Sequence, residues 1–189
     1  MKKEDLRTAL TKRLLKEGLL RCMKSKRISK ISISELCREA GVNRTTFYHH
    51  YDSPHQVLVD IGWNHAETIR EILLGCDSSN AEQTERQLVA CFSYVYEHRE
   101  EVKLLFSEQA DQHIADMMQD IFLSVWRGNT QVQRYYHFDD DEYKLAINAF
   151  GWSVYHVVRQ WIMEDIPKTP TEIVSLLLKL AHLDIFTVL

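Results

Sequence analysis

Residues that break helices are rare in this sequence. Its 189 residues include three prolines and six glycines, and apolar residues recur three and four positions apart, as they do along one face of a helix. Short runs that alternate apolar and polar residues between turns, which would indicate strands, do not occur. The sequence therefore predicts an all-α fold.

A few polar and proline-containing segments divide the chain into helices. Cys76–Asn80 is polar and turn-prone, and the run from Ile166 to Pro170 contains two prolines, which cannot continue a helix. We place a domain boundary after residue 53, between a three-helix N-terminal domain (residues 1–53, the head) and a helical C-terminal domain (54–189). The predicted helices span about residues 4–24, 33–40, 44–51, 54–74, 81–98, 100–109, 111–136, 140–165 and 171–188.

Capping residues mark the ends of the short helices. The segment Ser32-Ile33-Ser34-Glu35 has the S-x-x-E form of a capping box, in which the serine caps the helix and the glutamate reaches back to it. Gly41 closes that helix, because glycine adopts a left-handed conformation without steric cost. Asn43 can cap the next helix, and Ser53 with Pro54 can begin the one after it. Residues 32–51 are thus predicted to form a helix, a turn and a second helix.

Charge is distributed unevenly along the chain. Residues 1–52 carry 13 lysines and arginines against 6 acidic residues, a net charge of +7, whereas residues 53–189 carry −11, which together give −4. Lys and Arg that neutralise phosphates supply most non-specific affinity for nucleic acids. A basic head on an acidic body therefore indicates that the head meets a polyanion, although solvation of small helices is the alternative explanation.

The helix, turn and helix of residues 32–51 can present the second helix to the major groove of DNA. On that helix Phe47 and Tyr51, one turn apart, face inward. The side chains left outward have the chemistry of DNA contacts, because Arg binds guanine or phosphate, Thr binds phosphate or a thymine methyl, and Tyr and His bind phosphate or base edges. They are Arg44, Thr45, Tyr48 and His49.

The stretch from Ile31 to Tyr51 resembles the DNA-binding domain of the TetR family of transcription regulators. Its most specific part reads A-G-V-N-R-x-T-F-Y-x-H-Y and is followed by the hydrophobic pair Val57 and Leu58. The resemblance covers about residues 6–60 and implies a TetR-like fold, with a head that binds DNA and a helical domain for dimerisation and ligand binding. The resemblance implies that His50 braces the helix or reaches a phosphate. With the capping residue Asn43 included, the predicted DNA-binding residues are Ser32, Ser34, Asn43, Arg44, Thr45, Thr46, Tyr48, His49 and His50.

Two residues depart from the family pattern. Pro54 stands where many relatives have a lysine that contacts a phosphate, so one backbone contact is missing here. Thr45 stands where glycine or another small residue is common. The base preference of the second helix therefore does not follow from the resemblance.

Two helices of the C-terminal domain carry apolar residues on more than one face. A helix on the surface of a monomer needs one apolar stripe, so a second stripe predicts a partner, most simply a second copy in a two-fold four-helix interface. The predicted dimer interface is the stripe with 3-4 spacing, formed by Ile147, Phe150, Val154, Val157, Trp161, Ile173, Leu177 and Leu180. The sequence leaves open the other stripe, formed by Leu145, Ala149, Trp152, Tyr155, Val174, Leu178, Ala181, Ile185 and Val188.

Aromatic residues of the C-terminal domain are candidates for a ligand cavity, because pockets are mostly apolar with a few polar groups. They are Trp126, Trp152, Tyr155 and His156. An ordinary helical core is the alternative interpretation of the same residues. We predict neither a metal nor another cofactor, since the four cysteines have no metal-ligand spacing and are typical of reduced thiols.

The function predicted from these observations is sequence-specific binding of double-stranded DNA, as a homodimer on a near-palindromic operator, to regulate transcription. The resemblance implies a repressor released by a small ligand. Control by a protein partner, or activation of transcription, is the alternative within the same fold. A helical enzyme or adaptor with a coincidentally basic head is the alternative from another class, but no serine lies in a nucleophile elbow, so we predict no enzyme. The N-terminus has neither a signal peptide nor a membrane span, which predicts a cytoplasmic protein.

Overall fold

The computed structural model describes residues 3–74, 81–108, 110, 116 and 139–182. Every regular element in these ranges is a helix, which confirms the all-α prediction, and none of these helices is long and apolar enough to cross a membrane. The helices are α1 (Lys3–Met23), α2 (Ile33–Ala40), α3 (Arg44–Tyr48), α4 (Pro54–Leu74), α5 (Ala81–Glu97), α6 (Arg99–Phe106), α7 (Asp140–Met163) and α8 (Pro170–His182), with a 3-10 turn at Ile28–Lys30. The helix predicted at 111–136, apart from residue 116, and the end of the last helix lie outside the described residues.

Side-chain caps explain where several helices begin. The Asn43 side chain accepts a hydrogen bond from the Thr46 backbone N–H (2.7 Å), and the Ser53 hydroxyl accepts one from Gln56 (3.3 Å). Asp139 and Glu142 form a complete capping box at the start of α7. These contacts satisfy backbone donors that lack partners in the first turn of a helix. The caps predicted at Asn43 and Ser53 are confirmed.

The capping box predicted at the start of α2 is only half formed. The Ser32 hydroxyl accepts a hydrogen bond from the Glu35 backbone N–H (3.2 Å), as expected. The Glu35 carboxylate, however, accepts a hydrogen bond from the Lys26 Nζ (2.5 Å). A charged donor competes well for a carboxylate, and this hydrogen bond lowers the pKa of Glu35. The structure therefore corrects the role of Glu35, which joins α2 to the segment after α1.

The described residues group into two compact units. The first contains residues 3–65, 100–108, 110 and 116, and the second contains 66–74, 81–99 and 139–182. Helix α4 contributes to both units, and α6 belongs with the N-terminal helices although it follows them by about fifty residues. The domain boundary after residue 53 stays a prediction.

The first unit has a continuous apolar core. It contains apolar residues of α1, α2 and α3, among them Leu15, Leu36 and Phe47, which are fully buried. Leu105 of α6 is also fully buried in this core. Apolar residues of α4 and α6 thus complete the core formed by the three N-terminal helices.

The second unit is centred on Trp161 of α7. Its indole ring stacks on Phe92 (6.2 Å between ring centroids) and on Tyr96 (5.4 Å), and its N–H donates to the Lys168 carbonyl (3.0 Å). Helix α8 packs against α5 in the same unit. The largest side chain of this core therefore satisfies its one polar group within the chain.

The structure corrects the predicted dimer interface. Five of its eight residues are buried in the core of the second unit, because the stripe that contains Trp161 packs against the chain's own helices. Phe150 and Val157 are half-buried, and Leu180 is exposed. Side chains already covered by their own chain are not available to a partner. The five buried residues are Ile147, Val154, Trp161, Ile173 and Leu177.

Helices α1 and α2 approach each other closely at Gly18. A Cβ atom at Gly18 would lie 2.9 Å from the Ala40 Cβ and 3.1 Å from the Ala40 Cα. A contact of that length with backbone atoms requires one of the helices to shift. Gly18 is therefore a packing requirement, although glycine lowers the intrinsic stability of a helix.

We expect Gly18→Ala to lower the free energy of unfolding by about 1 to 2 kcal/mol, because overpacking outweighs the helix propensity gained. Chemical denaturation measures the change. In a double-mutant cycle, Ala40→Gly should recover part of the loss, since it removes the nearest atom. A Gly18→Ala protein more stable than the wild type would contradict the close packing of α1 and α2.

Candidate nucleic-acid interface

Helix α3 shows one face to the core and the other to solvent. Phe47 is fully buried and Tyr51, which follows the helix, is nearly so. Arg44, Thr45 and His49 are exposed, and 57% of the Tyr48 surface is accessible. The predicted division into inward and outward side chains is confirmed. Burial of Phe47 and Tyr51 fixes which side of this helix meets solvent.

Helix α3 is shorter than predicted and ends at Tyr48 instead of residue 51. The chain turns tightly after it, because the backbone N–H groups of His50 and Tyr51 both donate to the Phe47 carbonyl (2.9 Å each). His50 and Thr46 are half-buried. The turn keeps Tyr51 close to Phe47, with 6.2 Å between the ring centroids.

The start of α2 supplies the remaining predicted DNA contacts. Ser32 and Ser34 are both exposed. The Ser32 hydroxyl already caps α2 and the Asn43 amide oxygen already caps α3. Gly41 separates the two helices in the left-handed conformation, with φ of 66°, as its position predicts. All nine residues predicted to contact DNA therefore lie on α2, on α3 or at their ends.

About half of the positive charge in the head is neutralised within the chain. Lys12 and Lys16 pair with Asp60, and further ion pairs involve Arg13, Arg21, Lys26 and Arg27. Among the head residues whose side chains the structure describes, the exposed basic residues that form no ion pair are Arg7, Lys24, Lys30, Arg38 and Arg44. The 13 lysines and arginines of the head therefore overstate the number of unpaired cations, because sequence counts do not reveal which charges pair.

The described candidate ligand residues lie close together on α7 and differ in exposure. Trp152 and His156 are exposed and stack on each other, with 5.7 Å between ring centroids, whereas Tyr155 is buried. Trp126 lies outside the described residues. The assignment of Trp152, Tyr155 and His156 to a ligand site stays a prediction.

Sequence reasoning missed two kinds of polar residue. Asp60 of α4 accepts a hydrogen bond from the hydroxyl of Tyr51 (2.5 Å), which lies in the turn that follows the candidate DNA-binding helix. Gln87 and Asn148, in the second unit, have buried side-chain oxygens for which the described part of the chain provides no hydrogen-bond partner. Each of these residues interrupts an otherwise apolar helix face, and the sequence shows that interruption. The sequence does not show which residue the polar side chain contacts.

One family model matches the chain. It is the TetR model described as the transcriptional regulator C-terminal region, and it covers residues 82–183, more than half of the 189 residues. No protein of curated function matches the chain at a significant level.

Several solved structures share the fold. A TetR-family regulator from Syntrophomonas wolfei aligns with a TM-score of 0.70 at 13% identity, covering 90% of this chain and 92% of that one. NalD, the secondary repressor of the MexAB-OprM multidrug efflux pump in Pseudomonas aeruginosa, aligns with 0.66 at 14% identity (91% and 94% covered). The dihydroxyacetone kinase operon activator DhaS aligns with 0.63 at 16% identity (90% and 93% covered).

The family-model match and the structural likeness point to the same family. The family model matches residues 82–183, which lie beyond the head, and the structural likeness extends over about nine-tenths of the chain. The chain belongs to the TetR family of transcriptional regulators.

Proposed function

We propose that this regulator binds a specific double-stranded DNA sequence through α3, as a cytoplasmic homodimer. The observation that carries the proposal is the solvent-exposed face of α3. That face presents Arg44, Thr45 and Tyr48, while Phe47 on the opposite face is buried in the core of the first unit. A helix held in this way on a small helical unit suits insertion into the major groove.

The chemistry of the exposed residues supports base recognition and phosphate contact. Arg44 has no ion pair in the described chain, so its guanidinium is available to guanine O6 and N7. Tyr48 and His49 can donate hydrogen bonds to phosphates or base edges, and Ser34 can reach a phosphate from the start of α2. The proposed contact set is that of the sequence prediction: Ser32, Ser34, Asn43, Arg44, Thr45, Thr46, Tyr48, His49 and His50.

Exposed apolar side chains on α7 and on α8 support dimerisation. Leu145 is 72% exposed and lies seven residues before Trp152, which is also exposed, so both share one face of α7. Leu176 and Leu180, one turn apart on α8, are exposed as well. Large apolar side chains grouped at helical spacing are typical of an interface. We propose that a second copy covers this surface, in place of the buried stripe.

We propose that DNA binding represses transcription and that a small ligand in the second unit relieves it. The buried, unpaired oxygens of Gln87 and Asn148 support a ligand that donates hydrogen bonds, since such groups are costly when unsatisfied. Activation is the second candidate, because the fold is shared with DhaS, an operon activator, as well as with NalD, a repressor.

Selection of bound sequences from a random DNA pool tests the proposal. We expect an enriched near-palindrome whose half-sites lie about 34 Å apart or somewhat more, as two-fold symmetry requires. A reporter gene placed behind that operator then distinguishes the two candidates. Expression falls when the regulator represses and rises when it activates. Recovery of no enriched sequence would reject specific DNA binding.

We expect Arg44→Ala and Tyr48→Phe each to weaken operator binding by about 1 to 3 kcal/mol, since each removes an exposed hydrogen-bonding group from α3. Fluorescence anisotropy with labelled operator measures the affinity, and circular dichroism verifies folding. Arg13→Ala is the matched control, because Arg13 is exposed on α1 and pairs with Glu17. Operator affinities of both α3 variants equal to that of the control would refute the assignment.

We expect Leu145→Glu with Trp152→Glu to convert a dimer into a folded monomer, since burying two carboxylates against an apolar partner is unfavourable. Light scattering at micromolar concentration should give twice the chain mass for the wild type and the chain mass for the variant. Lys144→Glu, at an exposed neighbouring position, should remain a dimer. A dimeric double variant would place the interface elsewhere.

A further inference from the structure

One carboxylate joins three parts of the first unit. The Asp60 Oδ2 of α4 accepts a hydrogen bond from the Tyr51 hydroxyl (2.5 Å) and lies 3.0 Å from the Lys16 Nζ of α1. The Lys12 Nζ lies 3.9 Å from the same oxygen and 5.5 Å from the centre of the Tyr51 ring. We call these four residues the Asp60 cluster. One oxygen atom of Asp60 thus connects α4 to the middle of α1 and to the turn that follows α3.

The Asp60 cluster is partly shielded from solvent. The Lys16 side chain is 16% exposed and that of Asp60 is 28% exposed. Burial by itself raises the pKa of Asp60, but the hydrogen bonds from Tyr51 and Lys16 and the charges of both lysines lower it below its ordinary value. Burial and then the Asp60 carboxylate raise the pKa of Tyr51. At neutral pH the carboxylate is therefore charged and the phenol keeps the proton that it donates.

The cluster acts on a short helix that needs external support. Helix α3 has five residues, too few for an isolated helix to be stable. Tyr51 is connected to its last turn, because the Tyr51 backbone N–H donates to the Phe47 carbonyl. Movement of the Tyr51 ring away from Asp60 would therefore move the end of α3, where Tyr48 and His49 lie.

We propose that Asp60 is a positioning residue that fixes the orientation of α3 through Tyr51, and so determines how well the regulator discriminates its operator from other DNA. The inference rests on the proposed function. Hydrogen bonds to charged groups are among the stronger ones in proteins, whereas an apolar contact such as that of Phe47 allows rotation of a helix end. The cluster also occupies Lys12 and Lys16, so these lysines position the helix instead of binding phosphate.

The test compares Asp60→Asn and Tyr51→Phe with a matched control. Glu17→Gln changes the net charge as Asp60→Asn does and also releases a basic residue of α1, Arg13, but it does not touch α3. Affinities for the selected operator and for a scrambled duplex are measured at a temperature where thermal unfolding shows each variant to be folded. If Asp60→Asn does not fold at any temperature, Tyr51→Phe decides the question.

We expect operator affinity to fall roughly tenfold in Asp60→Asn and Tyr51→Phe relative to Glu17→Gln, the loss that corresponds to one hydrogen bond to a charged group. Affinity for the scrambled duplex should change less than about threefold, because released lysines still attract phosphates. A merely structural role would lower both affinities together or neither. Operator affinities within about twofold of the control in both variants would overturn the proposal.

Hydrogen exchange without DNA provides a separate readout. The backbone amides of residues 44–51 should exchange faster in Asp60→Asn and Tyr51→Phe, and at the wild-type rate in Glu17→Gln, since only the first two release the end of α3. Unchanged exchange in both variants would overturn the positioning role. Failure of the wild type to prefer its operator would instead contradict the proposed function, which the exchange experiment does not require.

Discussion

Burial of Phe47 is the interaction on which the proposed DNA-binding surface depends. Its ring lies in a core built from α1, α2, α4 and α6, so the opposite face of α3 must meet solvent. Loss of this ring would remove about 3 to 5 kcal/mol, a large part of the stability of a small unit. The close contact at Gly18 serves the same core, because it brings α1 and α2 near enough for their apolar faces to enclose the ring.

Polar contacts give α3 a defined orientation, which the apolar core alone does not provide. Packing of Phe47 holds α3 against the core, while the hydrogen bond from Tyr51 to Asp60 fixes its far end. Several basic residues of the head form ion pairs with acidic residues of the same chain. Fewer cations are unpaired than the count of basic residues in the head implies, and the salt dependence of DNA binding should reflect the unpaired ones.

Most of the helices and the exposed side of α3 could be predicted from the sequence, because periodicity and capping residues act over a few positions. The bounds of α4 agree with the prediction at both ends, and the caps at Asn43 and Ser53 form as expected. The role of Glu35 could not be predicted in this way. Whether its carboxylate accepts a hydrogen bond from the start of α2 or from Lys26 depends on where the segment after α1 lies, which no local pattern specifies.

The sequence by itself determined an all-helical chain, a helix-turn-helix near its N-terminus and the side chains that α3 exposes. Only the tertiary structure decided which apolar stripe of α7 is covered, that α6 completes the core of the N-terminal helices, and that Asp60 meets Tyr51. The physical reason is the distance along the chain over which each effect acts. Helical periodicity shows which residues share a face, but the neighbour of that face is set by packing between segments far apart in the chain.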